Sequence, residues 1–366
     1  MIRGTDAATV RDALERAESL PGTFGFAGEL DGRLVRDVLG RVPLFVEREG
    51  VDGSVLGRDS WAFSPTDLAD PVPFPAGAVA DGVERTQVWE LPEPPVEADH
   101  DRALERVDRA IGRAAEAVDA TDVAVAFSGG VDSALVAELL DAPLYVAGFP
   151  GSHDVAAART AAEAMGRELE VVTLEPADLE RAVPTVARAI GRTNAMDVQI
   201  ALPLYLVAER VAAEGFDALA VGQGADELFG GYEKVARLDH RVDADTVRGA
   251  VREQIHTLPD QLPRDVLALE AAGVEPVAPL LHDDVVDAAL RLPTALLVDG
   301  EIRKRGLRIV AGEYLPDSVA TREKKAVQYG SLVARELDRL ARQAGYKRRM
   351  DDHVTKYVEA LLEDGV

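Results

Sequence analysis

The 366 residues include no cysteine, which excludes disulfides, thiolate metal sites and a cysteine nucleophile. Positive charge is scarce: 40 Lys and Arg face 65 Asp and Glu, for a net charge of −25. Such a charge repels phosphate backbones and anionic lipid, so no nucleic acid and no membrane is an expected partner. Long apolar runs are missing too. Nowhere do 18 apolar residues stand together, and Met1 to Val10 lack the charged-then-apolar order of an export signal. A cytoplasmic location is the expectation.

What is present is an ordinary globular balance, 47% apolar and 29% charged, at a length that predicts two domains. Only six of the basic residues are Lys (Lys234, Lys304, Lys324, Lys325, Lys347, Lys356), and the acidic excess is spread along the chain. This reads as a halophilic, solvated surface, with simple solubility as the plainer alternative.

Residues 22 to 90 read as strands and turns, with hairpin signals at Leu30-Asp31-Gly32-Arg33 and Asp52-Gly53. The proline-dense Leu91-Pro92-Glu93-Pro94-Pro95 marks a linker. Ala103, Leu104, Val107, Ala110, Ile111, Ala114, Ala115 and Val118 then recur at helical spacing. Short apolar runs at Val123 to Phe127, Leu144 to Ala147, Leu169 to Leu174 and Ala218 to Val221 alternate with helical patterns such as His153 to Met165, which predicts a parallel sheet covered by helices. From Asp283 onward the chain reads as helical.

Phe127-Ser128-Gly129-Gly130-Val131-Asp132-Ser133 stands where a buried strand should turn into a helix. Glycines admit a ligand close to the backbone, and helix-start amides favour an anion such as pyrophosphate. Asp132 would repel phosphate unless a divalent cation lay between them, which implies a metal–nucleotide complex. An ordinary glycine turn is the alternative; the chain has no Gly-x-x-x-x-Gly-Lys-Ser/Thr. A second motif, Val221-Gly222-Gln223-Gly224-Ala225-Asp226-Glu227-Leu228-Phe229-Gly230-Gly231-Tyr232, also follows a predicted strand. Since ligands in open α/β sheets collect at the carboxyl ends of strands, both loops are expected to frame one nucleotide, with Asp132 and Asp226 as magnesium ligands. A solvated acidic turn is the plainer reading of Asp226.

These motifs, their spacing and Gly148-Phe149-Pro150-Gly151-Ser152-His153-Asp154 resemble the synthetase domain of the asparagine synthetases, members of the pyrophosphatase-loop ATP enzymes. Gly273-Val274-Glu275, Lys304 with Leu307-Arg308, Leu315-Pro316 and Arg322-Glu323-Lys324 follow in that family's order. The resemblance implies an α/β fold with a parallel sheet of the adenine-nucleotide alpha-hydrolase type and a helical C-terminal part, over residues 96–366. It further implies adenylation of a carboxylate by ATP, then attack of ammonia on the acyl-adenylate. Ser128, Gly129, Gly130, Asp132 and Ser133 would hold pyrophosphate and magnesium; Phe127, Ala147, Val221 and Gly222 match adenosine-contacting positions. Lys324 matches a lysine that stabilises charge on the reacting phosphate; its plainer reading is a solvated lysine.

Gly22-Thr23-Phe24-Gly25-Phe26, Arg36-Asp37-Val38-Leu39-Gly40-Arg41-Val42-Pro43-Leu44-Phe45, Pro75-Ala76-Gly77 and Trp89 resemble the latter half of the family's glutaminase domain. Residues 1–95 therefore read as a smaller, β-rich, inactive glutaminase-like remnant, because the family's glutaminase uses a cysteine thiolate that this chain lacks. Free ammonia or a separate glutaminase would supply nitrogen, and a homodimer is compatible with the chain. Gln223 stands where bacterial relatives carry a Glu and cannot serve as a carboxylate base; Glu275 is the candidate base in its place. Val277 and Pro279-Leu280-Leu281-His282 replace the usual Arg and Pro-Phe-Leu-Asp. These departures leave open an acid other than aspartate, as in β-lactam synthetases, or a nucleotide-binding regulatory protein that has lost its chemistry. His153 could touch substrate, but a lone loop histidine is more often solvated.

The acidic surface predicts that unfolding free energy rises steeply from low to multimolar KCl. Equal stability without salt, measured by chemical denaturation, would reject the halophilic reading.

Overall fold

The computed structural model describes residues 1–48, 60–82, 84–119, 122–322 and 332–364. Asp52-Gly53 and Lys324 fall outside them. The chain divides into two compact units, Met1–Asp119 with Gly222–Pro263 and Ala278–Tyr314, and Ala120–Val221 with Arg264–Val277 and Leu315–Val366.

Among the described residues before residue 90, the first unit has eight short strands: β1 (Ile2–Arg3), β2 (Ala27–Leu30), β3 (Arg33–Arg36), β4 (Phe45–Glu47), β5 (Trp61–Ala62), β6 (Pro71–Pro73), β7 (Ala78–Ala80) and β8 (Arg85–Gln87). They form an antiparallel sheet in the order β1-β2-β3-β7-β8 and a three-stranded sheet β5-β4-β6. The Asp31-Gly32 signal is a tight hairpin: Leu30 pairs with Arg33, and both turn residues have positive φ, 50° and 80°. Helix α1 (Ala7–Arg16), which lies before the residues read as strands and was not foreseen, starts on the Asp6 carboxylate, which accepts from the amides of Ala8 and Thr9. Its Val10 and Ala13 join Phe26, Leu30, Val35, Val79 and Trp89 in one core cluster, where Phe26 meets Trp89 edge to face at 5.2 Å. The proline linker is irregular, and Arg252 donates to the carbonyls of Leu91 and Pro92. Helix α2 (His100–Glu116) buries the expected face through Ala103, Val107, Ala110, Ile111 and Ala114.

The second unit holds the parallel sheet, built from β9 (Val123–Ala126), β10 (Leu144–Gly148), β11 (Leu169–Thr173), β12 (Ala218–Ala220) and β13 (Glu275–Val277), in the order β11-β10-β9-β12-β13. Every neighbouring pair is parallel. The crossovers contain α3 (Val131–Leu140), α4 (His153–Met165), α5 (Pro176–Ile190) and α6 (Ala195–Ala213). Chain order runs outward from β9 to β11 and then resumes on the other side with β12, so the strand order reverses between β9 and β12. The fold is thus α/β with a parallel sheet and a separate small β-rich region, and the later chain is largely helical, as expected. Strand β13 was not foreseen: it has only three residues, the central one proline, and it sits at the sheet edge, where a proline is tolerated. Among the described residues no helix is long and apolar enough to cross a membrane.

Charged side chains are buried in the first unit. Arg36 donates to the carbonyls of Gly40, Val42 and Phe74, and burial pushes its pKa down to about 10. His282 caps the helix Asp283–Leu290 by accepting from Asp284 N at 3.2 Å, with its ring edge-on to Phe24. Burial lowers its pKa below 6.5, helped by Arg41 and opposed by Asp283 and Asp284. The unfolded chain therefore binds this proton more readily. His282 contributes stability above its unfolded value of 6.5, and that contribution is lost as pH falls through the depressed folded value. His282→Asn, which keeps a cap acceptor, should reduce the slope on the acid side of the stability–pH curve below 6.5, leaving the contribution of His256, which burial shifts the same way. An unchanged slope in denaturant titrations would remove His282 from this role.

Candidate active site

The candidate residues fall into two clusters, one in each unit. In the second unit, β9 ends at Ala126 and Phe127, buried, still donates from its amide to Tyr145 O at 2.7 Å. The chain then turns through Ser128 and Gly129 into α3. Gly129 has φ +71°, and an added Cβ would sit 2.7 Å from Ala157 O and 2.8 Å from Ala158 Cα on α4. Only glycine fits both the backbone angle and the packing.

Gly130 occupies the cap position of α3, and no side chain caps the helix. Its first-turn amides and its dipole are thus available to an anion, at the carboxyl edge of the sheet and beside the reversal of strand order. Asp132 and Ser133 are buried in that first turn. Ser133 Oγ accepts from Ser128 N at 3.2 Å and donates to Gly130 O at 3.2 Å, and the two serine hydroxyls are 3.3 Å apart. The loop is therefore tied shut by hydroxyls that also suit phosphate oxygens. Ala147 lies buried within β10, and the following loop gives Ser152 as the cap of α4. His153 is the exposed first residue of that helix.

Strand register corrects one expectation. Glu275 opens β13 in register with Ala218, which is in register with Val123. Ser128 lies five residues beyond Val123, roughly 16 Å along a strand. Glu275 thus stands at the amino edge of the sheet, away from the Ser128 loop, and is a poor candidate for a base there. Val277 and Val221 occupy the carboxyl edge instead, with Val221 N donating to Val277 O at 2.9 Å. Arg322, which the sequence marked only as a neighbour of Lys324, donates to Ala157 O at 2.8 Å, the same carbonyl that faces Gly129.

In the first unit, Gly222 and Gln223 lead into Gly224 (φ +89°) and α7 (Ala225–Phe229), which carries Asp226 and Glu227. Lys304 Nζ lies 2.6 Å from Asp226 Oδ1, and the lysine is buried while the carboxylate is 31% exposed. Arg303 donates to Gly231 O at 2.8 Å. A Cβ on Gly231 would collide with Asp226 Oδ1 and Lys304 Cε, so the pair fits only because residue 231 lacks a side chain. Glu227 is buried and accepts from the Tyr232 hydroxyl; burial pushes its carboxyl pKa up, opposed by that hydrogen bond. Lys304, Glu227 and Tyr232 were not singled out as site residues. The Asp-Glu dipeptide was a usable signal for Glu227, whereas Lys304 reaches Asp226 only through the fold.

The two acids proposed for magnesium each suit a cation, Asp132 beside uncapped amides that would hold phosphate, and Asp226 because it already holds an ammonium. Among the described residues no group of three or more acidic or histidine side chains forms a metal cage. A metal here would therefore take much of its coordination from nucleotide phosphates and water.

A family model described as asparagine synthase matches residues 104–254 and 239–364. A Methanocaldococcus jannaschii protein provisionally named as a glutamine-hydrolysing asparagine synthetase is 30% identical, over 73% of this chain and 57% of its own length. The glutamine-hydrolysing asparagine synthetase B of Escherichia coli is 26% identical, over 86% of this chain and 62% of its own length. The chain thus spans 57% and 62% of these two relatives. Among solved structures, an NMN synthetase from Francisella tularensis aligns over 63% of this chain at 14% identity, with a TM-score of 0.26, too low to carry weight.

Gly129→Ala should destabilise the protein by about 1–3 kcal/mol, through both the positive φ and the clash with α4. Urea unfolding checks this, and a change under about 0.5 kcal/mol would mean that the loop has room to shift.

Proposed function

Because the chain belongs to the asparagine synthase family, we propose that it is a carbon–nitrogen ligase that uses ATP and magnesium to amidate a carboxylate, converting aspartate and ammonia to asparagine, AMP and pyrophosphate. The observation that carries the reading is the uncapped start of α3 at the reversal of strand order, with Asp132 buried in its first turn.

In the first half-reaction a carboxylate oxygen attacks the α-phosphorus of ATP, and pyrophosphate leaves with the electrons of the broken P–O bond. Ser128, Gly129, Gly130 and Ser133 bind the leaving pyrophosphate through amides and hydroxyls, with the α3 dipole favouring its charge. Asp132 and Asp226 would hold magnesium, whose positive charge would offset that of the pyrophosphate. Phe127, Ala147, Val221 and Gly222 flank adenosine, and Lys324 offers a compact cation to the reacting phosphate. In the second half-reaction the ammonia lone pair attacks the acyl carbon, AMP leaves, and the nitrogen sheds a proton. Gln223 can hydrogen-bond the amine or the acid but cannot take that proton.

No thiol in this chain can cut glutamine, so nitrogen arrives as ammonia or from a separate glutaminase. Residues 1–95 then act as a structural part derived from a glutaminase-like domain. A second reading, amidation or ring closure on another acid as in β-lactam synthetases, is favoured by Val277: an apolar, half-buried side chain ends β13 where an arginine would bind a second carboxylate.

Release of pyrophosphate and AMP from ATP, with magnesium, ammonium and a panel of acids in high KCl, tests both readings. Aspartate-dependent release with asparagine formed is expected. Release with a different acid alone would transfer the weight to the second reading, and none with any acid would overturn both. Asp132→Ala should lower release by about 100-fold or more at near-wild-type Tm; undiminished release would take Asp132 out of the site.

A further inference from the structure

Leu281 joins the N-terminal β-rich region to the turn that carries Asp226. Its carbonyl accepts a 2.8 Å hydrogen bond from Arg41 Nη1. Its side chain presses on Gly224, where an added Cβ would lie 2.7 Å from Leu281 Cγ and closer still to Cδ2. Gly224 has φ +89°, caps α7, and accepts at its carbonyl from Leu228 N at 2.9 Å. With no side chain on residue 224, Leu281 bears directly on the backbone from which α7 starts. A shift in one is felt in the other, because close-packed interiors transmit displacement.

Arg41 is itself held on several sides. Nε donates to Asp37 Oδ1 at 2.9 Å, and Nη1 lies 2.7 Å from Asp283 Oδ1. Asp37 accepts from the amides of Leu39 and Arg41 at 3.0 Å, and Asp283 accepts from those of Gly22 and Thr23 at 3.0 and 2.8 Å. All three charged residues are at most 5% exposed. An apolar core could fill this volume without burying charge, but it would lack the directional bonds that fix where Leu281 stands.

We propose that Arg41 is a positioning residue: through Leu281 and Gly224 it holds the Gln223-Gly224-Ala225-Asp226 turn in place. The N-terminal region then braces the turn that carries Asp226. The coupling rests on this geometry, and its consequence for magnesium rests on the proposed ATP site.

Three full-length variants test the coupling. Arg41→Lys keeps a positive charge beside Asp37 and Asp283 but loses the planar fork that reaches Leu281 O. Leu281→Ala leaves Arg41 intact and removes the side chain that bears on Gly224. Val10→Ala, in the core cluster around Trp89, weakens the same region off this path. Amide hydrogen exchange of residues 222–229 should quicken by about tenfold in Arg41→Lys and in Leu281→Ala, the scale of one lost hydrogen bond to a charged group. Val10→Ala should lower Tm without singling out that segment. In pyrophosphate release, the first two variants should need more magnesium for half-maximal rate, with kcat changed less. Exchange at 222–229 that is unchanged in either variant, or that rises only in step with the whole chain, overturns the proposal. If the exchange result holds while the wild type neither binds nor cleaves ATP, the brace stands and the ligase reading falls.

Discussion

The hydrogen-bonded register of the parallel sheet is the constraint on which the candidate chemistry depends. Val123, Ala218 and Glu275 share one level across β9, β12 and β13, and every strand runs the same way. Parallel strands send all their following loops to one edge, and a reversal of strand order parts two of those loops into a crevice. The Ser128 loop follows β9, one of the two strands that flank the reversal. The same register sends Glu275 to the wrong edge and Val277 to the right one. Neither assignment can be made from spacing alone.

The first unit keeps its charges by a different device. Lys304 is buried, lies 2.6 Å from Asp226 and holds the left-handed backbone angle φ +54°. For a side chain other than glycine that angle costs about 1–2 kcal/mol. The strain is tolerated because the alternative leaves a buried ammonium without its carboxylate, a larger loss. Glycines make the room: Gly231 for this pair, Gly224 for Leu281. Both conserve space where a charge or a backbone must come within van der Waals reach of another segment. The glycine-rich appearance of Val221 to Tyr232 thus records packing as well as ligand approach.

Much of the fold was legible in the sequence because its signals are local. The Val123, Leu144, Leu169 and Ala218 runs became strands, His153 to Met165 became α4 with those bounds, and Asp31-Gly32 became a hairpin. β13 was hidden because its stability comes from β12 and not from its own residues, one of which is proline. Helix α1 was announced by Asp6 and by the Val10 and Ala13 face, signals that precede residue 22, where the strand reading begins, and were passed over. At the candidate site, the Ser128 to Ser133 turn could be read because glycine, hydroxyl and helix start are adjacent in the chain. Arg41 could not, since its partners Leu281 and Asp283 lie some 240 residues away, and nothing in Gly40-Arg41-Val42 distinguishes a buried guanidinium from a solvated one.

The departures from the family pattern point in one direction when their positions are considered. Val277 ends β13, Val221 directly follows β12, and the two are joined by a backbone hydrogen bond at 2.9 Å. At that edge of the sheet the chain thus presents two aliphatic side chains. A second carboxylate on the substrate would need a cation or several amides to replace its water, since an unpaired charge against aliphatic groups is strongly disfavoured. In the proposed reaction aspartate would need another cation for its second acidic group, whereas an acid with an apolar or neutral polar tail would meet no such demand. In the proposed reaction the identity of the acid would turn on that charge balance, while adenylation would depend on the Ser128 loop, which any carboxylate substrate would share.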